Sequence, residues 1–285
     1  MSTRAEAVTR ELLRNWPLPA AGESKYERGQ VIVIGGAARS PGAAQLAGVA
    51  ALRAGAGRLG LAVGASVAVA VAVALPECGV VALRETPNGA VDGDGLAAAA
   101  ADLRAADAVL VGPGLDDAGH AAHMLRALPG LVGSDATVVL DAFALGALAE
   151  VDLKSFEGRL ILTPNKTEAA LLLEIEEGDL DLERDIPSLA TNFGAVVTCY
   201  GVVSDGDRLL TIAEGGPGLG TSGSGDVLSG AITGLAARGA EPLQAATFAT
   251  WAHAKSGDRL AERVGALGFL AREIADELPA VLNTL

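Results

Sequence analysis

The segment Gly218-Leu219-Gly220-Thr221-Ser222-Gly223-Ser224-Gly225-Asp226-Val227-Leu228 has the composition of a phosphate cradle. Its small residues let consecutive backbone amides converge on one point, and a helix opening near Ser224 would add the positive end of its dipole. Asp226 then falls in the first helical turn, where a carboxylate can take a proton from an attacking hydroxyl beside a bound phosphate. A glycine-rich turn closed by a helix-terminal charge would explain the same residues without chemistry, since a lone glycine-rich loop is a weak motif.

Three other segments invite the same question. Leu162-Thr163-Pro164-Asn165-Lys166-Thr167-Glu168 follows an apolar run and opens a helical one. Pro164 restricts Thr163 to an extended conformation, while Asn165 and Glu168 have the spacing of a capping box. The box accounts for the segment completely; a functional reading adds that Asn165 and Glu168 help hold a magnesium–water–phosphate cluster. Val111-Gly112-Pro113-Gly114-Leu115 is a turn whose glycines let a ligand approach the backbone, or a tight turn and nothing more. Gly35-Gly36-Ala37-Ala38-Arg39-Ser40-Pro41-Gly42-Ala43-Ala44 joins a strand to a helix but is not a G-x-G-x-x-G fingerprint, so a Rossmann dinucleotide site is disfavoured.

Other chemistries lack support. His120 and His123 share one helical stretch and His253 lies on another, none with a ligand partner at useful spacing, so each reads as a surface or core histidine. The sequence has no Walker A motif, no G-x-S-x-G elbow and no Cys/His pair. Cys78 and Cys199 read as buried free thiols.

The elements that would position these segments alternate in period. Val31–Ile34, Arg58–Val63, Ala108–Val111, Thr137–Leu140, Arg159–Leu162 and Ala195–Cys199 are short apolar runs with strand character, mostly separated by helical stretches such as Pro41–Ala54. Continuous apolar strands joined by crossover helices predict a mostly parallel sheet covered on both faces, with ligands at the carboxyl ends of the strands. Val202–Ile212, broken by Ser204-Asp205-Gly206-Asp207, predicts a hairpin on the sheet edge. Residues 4–15 read as an amphipathic helix stopped by Pro17 and Pro19, and three helices close the chain over roughly 224–239, 241–262 and 266–282. No linker or fixed-period repeat interrupts the 285 residues, so 1–285 is expected to be one domain; the acidic run Glu174–Asp185 reads as a solvated connection.

Composition bounds the partners. A formal charge of −14 excludes broad phosphate-backbone or anionic-membrane contact, yet leaves room for a small anion held by amides. Half the residues are apolar but only 3% are aromatic, so the core must be Ala, Val and Leu packed closely around 37 glycines. The longest apolar candidate, Val67–Leu75, is too short to span a membrane, and the expected location is the cytoplasm.

Read in order, these segments resemble the ADP/ATP-dependent NAD(P)H-hydrate dehydratases, a branch of the ribokinase-like superfamily. The resemblance runs through Lys25–Gly36, Pro41-Gly42-Ala43-Ala44-Gln45-Leu46-Ala47, Leu52-Arg53-Ala54-Gly55-Ala56-Gly57, Leu75-Pro76-Glu77, Gly112–Leu115 and Gly223–Leu228. It implies a three-layer α/β/α sandwich with an edge hairpin and a helical C-terminus. It further implies repair of NADHX or NADPHX: ADP or ATP phosphorylates the hydroxyl of the hydrated ring, and phosphate leaves. By that likeness Asp226 is the base and itself meets the substrate, Ala43, Gly114 and Asn165 line the hydrate pocket, and Gly223, Ser224 and Gly225 cradle phosphate. Cys199, Tyr200, Gly201, Val202 and Val203 lie along the adenine nucleotide, Mg2+ bridges phosphates with Glu168 as an indirect ligand, and the chain assembles as a dimer or tetramer. Two departures stand out. Asn165-Lys166-Thr167-Glu168 replaces the family's His-Pro-Gly-Glu and looks more like the Asn-x-x-Glu of sugar and vitamin kinases, and Tyr200-Gly201 replaces Lys-Gly, with Lys166 the candidate substitute for that lysine. The alternatives are therefore a kinase for a hydroxymethyl vitamin precursor or sugar, and a nucleotide-binding scaffold without catalysis.

Overall fold

A computed structural model describes residues 4–20 and 22–285. Ten strands form one sheet: β1 (Glu6–Ala7), β2 (Gln30–Ile34), β3 (Arg58–Gly64), β4 (Cys78–Leu83), β5 (Ala108–Val111), β6 (Thr137–Leu140), β7 (Leu160–Leu162), β8 (Val196–Cys199), β9 (Val202–Ser204) and β10 (Leu209–Thr211). Their order is β1-β10-β9-β8-β7-β6-β5-β2-β3-β4. From β8 to β4 every pairing is parallel, and the β9–β10 hairpin joins antiparallel to β8. The parallel strands β2, β3 and β5–β8 and the existence of the hairpin agree with the sequence reading.

Side chains alternate between two apolar layers, as a period of two requires. Val31, Val33, Leu61 and Leu110 enter one layer with α2 (Pro41–Arg53), α8 (Ser224–Ala237), α9 (Pro242–Arg263) and α10 (Ala271–Leu282). Ile32, Ile34, Val109 and Val111 enter the other with α5 (Ala118–Ala127), α7 (Leu182–Phe193) and the 3-10 turns of Ala142–Glu150. The result is the three-layer α/β/α sandwich with a helical C-terminus. Helix α2 lies so close on α8 that a Cβ built on Gly230 would stand 2.1 Å from the Ala47 carbonyl oxygen, and one on Gly234 2.4 Å from that of Ala51. This close approach is where the Ala/Gly composition becomes structure.

Four expectations need correction. Residues 4–15 are not one helix: Glu6–Ala7 pair with Leu210 and Thr211, and α1 spans only Arg10–Arg14 after the Thr9 cap. The unpaired edge of β10 supplies hydrogen-bond partners that override local helix propensity. The hairpin consequently sits one strand in from the edge, with β1 outside it. Cys78 is only partly buried, its Sγ donating to the Leu75 carbonyl at 3.1 Å, whereas Cys199 is buried as expected. Within the acidic run, Asp185 is buried against Arg184 at 2.7 Å instead of being solvated. His120 accepts from the Gly93 amide at 3.2 Å and so serves structure. Among the described residues no helix is long and apolar enough to cross a membrane.

Candidate functional site

The first turn of α8 organises the carboxyl-end face. Its N-cap, Gly223, has φ +88, a conformation that costs a side chain dearly and glycine nothing. A Cβ there would also press to 2.5 Å on Leu46 of α2 and 3.2 Å on Ala271 of α10, so three helices converge on this point. Asp226 follows as the third helical residue, and its Oδ2 comes within 3.8 Å of the same position, folded back over the turn. Ser224 is buried between them, with both its hydroxyl and its carbonyl oxygen 3.0 Å from Nε2 of the buried His253 on α9.

Burial pushes the Asp226 carboxyl up to about 7, and the negative charge of Asp141 adds to the effect. Asp141 follows β6 directly. It is buried, and its Oδ1 accepts the Thr163 hydroxyl at 2.8 Å. Burial raises its pKa too, against the opposing hydrogen bonds from Thr163, Ser229 and the Ala142 amide. Glu168 is raised by burial first, offset by the Asn165 amide and reinforced by Asp141. Three carboxylates from the end of β6, the turn after β7 and the start of α8 therefore share one electrostatic neighbourhood, an arrangement that resists full ionisation without a cation or a shared proton.

The capping box on α6 (Lys166–Leu172) is complete: the Glu168 amide donates to Asn165 Oδ1 and the Asn165 amide to Glu168 Oε2, both at 2.9 Å. The local signal read from sequence is thus real, and it occupies the oxygen through which Asn165 would touch a ligand. Hard carboxylate oxygens suit magnesium. Among the described residues no cluster of three or more acidic, histidine or cysteine side chains forms a metal cage. A Mg2+ ion would therefore depend on phosphate and water for most of its coordination, which is its usual habit with nucleotides.

Ala43 and Gly114 meet: a Cβ on Gly114 would lie 3.1 Å from that of Ala43, and the Ala37 amide donates to the Gly114 carbonyl at 2.9 Å. Leu46, one helical turn along α2 from Ala43, reaches Gly223, which links the Ala43–Gly114 contact to the first turn of α8. Asn165 lies two residues beyond Thr163, the residue that donates to Asp141. The strand-8 segment divides. Cys199, Val202 and Val203 are buried in the sheet, whereas Tyr200 and Gly201 form a two-residue turn with φ 46 and 81. Burial drives the Cys199 thiol up to about 12, partly opposed by Lys166. The Lys166 ammonium lies 4.8 Å from the centre of the exposed Tyr200 ring. A cavity of about 1040 Å³ opens between α7 and the β9–β10 hairpin and shares Lys166 and Val202 with this constellation.

Sequence reasoning missed Asp141 and His253. An Asp directly after an apolar strand was a usable signal for the first; the second is read only through a contact 29 residues away.

The family model for NAD(P)H-hydrate dehydratase matches residues 31–280. An ADP-dependent (S)-NAD(P)H-hydrate dehydratase of Xanthomonas campestris pv. campestris is 43% identical, covering 99% of this chain and 98% of its own. Bifunctional NAD(P)H-hydrate repair enzymes also match, and this chain spans about half their length. Among solved structures, the ADP/ATP-dependent NAD(P)H-hydrate dehydratase of Bacillus subtilis, co-crystallized with ATP/Mg2+, superposes with TM-score 0.81 at 27% identity, covering 97% of each chain. A ribokinase-like superfamily protein of Enterococcus faecalis has the same fold, with TM-score 0.85 at 20% identity, covering 98% of this chain and 96% of its own.

Proposed function

This chain belongs to the NAD(P)H-hydrate dehydratase family, and on that premise we propose that Asp226 is the base in an adenine-nucleotide-driven dehydration of NAD(P)H hydrate. The observation that carries the reading is the half-buried Asp226 carboxyl, held near neutrality beside an amide-lined turn. A base works best when its pKa lies near the operating pH.

Asp226 takes the proton of the hydrated ring's hydroxyl as that oxygen attacks the terminal phosphorus of ADP or ATP. The phosphorus–oxygen bond to the nucleotide breaks, and AMP or ADP leaves. Gly223, Ser224 and Gly225 cradle the transferred group at the positive end of α8, through the amides of Gly223 and Gly225, since the Ser224 amide donates to the Thr221 carbonyl at 3.1 Å. The phosphoester carbon–oxygen bond then breaks, inorganic phosphate departs, and loss of the neighbouring ring proton restores the reduced nicotinamide. Ala43 and Gly114 border the hydrate, whose ring requires close backbone approach. Asn165 completes that pocket from the α6 side through its Nδ2 amide, the cap and the helix taking its Oδ1 and its main-chain N–H and carbonyl. Residues Cys199–Val203 lie along the nucleotide and meet it through the Tyr200–Gly201 turn, with the Tyr200 ring and Lys166 ammonium beside it. Magnesium, when bound with the nucleotide, neutralises phosphate charge, and Glu168 would reach it through water. We place the enzyme in the cytoplasm as a homo-oligomer folded as one domain over 1–285, of which residues 1–3 and 21 lie outside the described residues. The exposed Val69 and Val73 of α3 (Ala68–Ala74) favour an assembled state.

Incubation of the protein with hydrated NADH, Mg2+ and ADP or ATP tests the reading. Recovery of the reduced-nicotinamide absorbance with release of inorganic phosphate is expected. A stable phosphoester without that recovery would instead identify a small-molecule kinase.

A further inference from the structure

We infer that His253 is a positioning residue that sets the first turn of α8. Its Nε2–H is shared between the carbonyl and hydroxyl oxygens of Ser224, so that the Ser224 hydroxyl proton is left for an oxygen of the transferred phosphoryl group. The inference rests on the phosphoryl-transfer reading of this site and adds to it a donor and the group that aims it.

Geometry decides the tautomer. Nε2 lies 3.0 Å from both oxygens of Ser224, and a carbonyl oxygen only accepts. A lone pair on Nε2 would face that carbonyl repulsively, so Nε2 carries the proton. The Ser224 Oγ then accepts, and its own hydrogen must turn elsewhere. Among the described residues this hydroxyl has no other hydrogen-bond partner, although Ser224 is only 6% exposed and His253 7%. A buried hydroxyl with an unspent donor is costly unless a ligand completes it. Its neighbours in the chain are Gly223, with left-handed φ, and Gly225, next to Asp226, so the spare proton sits within the turn that receives the phosphoryl group. Burial holds the imidazole neutral, with a pKa near 4, which makes the contact a directed hydrogen bond and not an ion pair.

Two measurements test this. Long-range 1H–15N correlation on labelled protein near neutral pH should report the Nε2–H tautomer for His253; the Nδ1–H tautomer overturns the inference, and this readout does not depend on turnover. In ADP-driven repair of hydrated NADH, Ser224→Ala and His253→Phe should each lower kcat about tenfold or more, with KM for ADP changed less. His253→Gln, which brings an amide donor to the Nε2 position, should recover most of the loss. The double variant should be no slower than the slower single variant, within about threefold. Multiplying losses, or a Ser224→Ala enzyme within twofold of wild type, would overturn it. Should His253→Phe fail to fold, Ser224→Ala and the tautomer decide. A wild-type enzyme without repair activity would strike the proposed function and leave the tautomer result to judge His253.

Discussion

Replacing Asp226 by Asn separates what this residue does for catalysis from what it costs the fold. Its carboxyl is pushed from 3.8 to about 7, chiefly by burial and further by Asp141. Folding therefore favours the protonated form: stability is greatest below 3.8 and is lost as the pH rises through 7. A shift of about three units corresponds to roughly 4 kcal/mol, which we halve to about 2 kcal/mol because Asp226 is only partly shielded from water. Asn carries no charge at any pH, so Asp226→Asn should be more stable than wild type by about that amount above pH 7, a rise in Tm of roughly 4 °C. The advantage should shrink to nothing near pH 4. The same variant should lose about a hundredfold or more in kcat, having no base to offer. Thermal unfolding across this pH range, alongside turnover of hydrated NADH with ADP, checks both halves. A variant that is inactive but destabilised at pH 8 would refute the reasoning, for it would mean that the carboxylate is held by partners instead of desolvated.

Two further predictions concern the support of the site. His253 has its pKa depressed from 6.5 to about 4 by burial, so its contribution to stability is present above 6.5 and lost as the pH falls toward 4, by about 3 kcal/mol. Asp226 acts in the opposite sense over an overlapping range, so denaturant titrations of Asp226→Asn with and without His253→Gln should expose the loss, and its absence from the singly substituted protein would contradict it. Gly230→Ala should cost about 2 kcal/mol or more by driving α2 off α8, because a Cβ there meets backbone at 2.1 Å. Gly225→Ala, whose Cβ meets nothing within 4 Å, should stay within about 0.5 kcal/mol of wild type in the same urea titration.

What could be read from sequence follows from how local its causes are. The β2, β3 and β5–β8 strands are continuous apolar runs, and the Asn165–Glu168 box and the Gly223 turn are written in neighbouring residues. Strand β4 was missed because Cys78–Leu83 is a half-exposed edge with little alternation. Strand β1 exists only by pairing with β10. The same distinction holds in the site. Asp226 announces itself within the loop, whereas the roles of Asp141 and His253 arise from burial and from contacts that the chain makes only after folding. The Tyr200 and Lys166 departures, separate in sequence, turn out to be one stacked pair.

The most direct test of the account is the pH dependence of kcat/KM for hydrated NADH at saturating ADP. If an ionised Asp226 is the base, the rate should climb about tenfold per pH unit up to an apparent pKa near 7 and then level off. A profile already flat from pH 5 upward, or one that persists unchanged in Asp226→Asn, would contradict it.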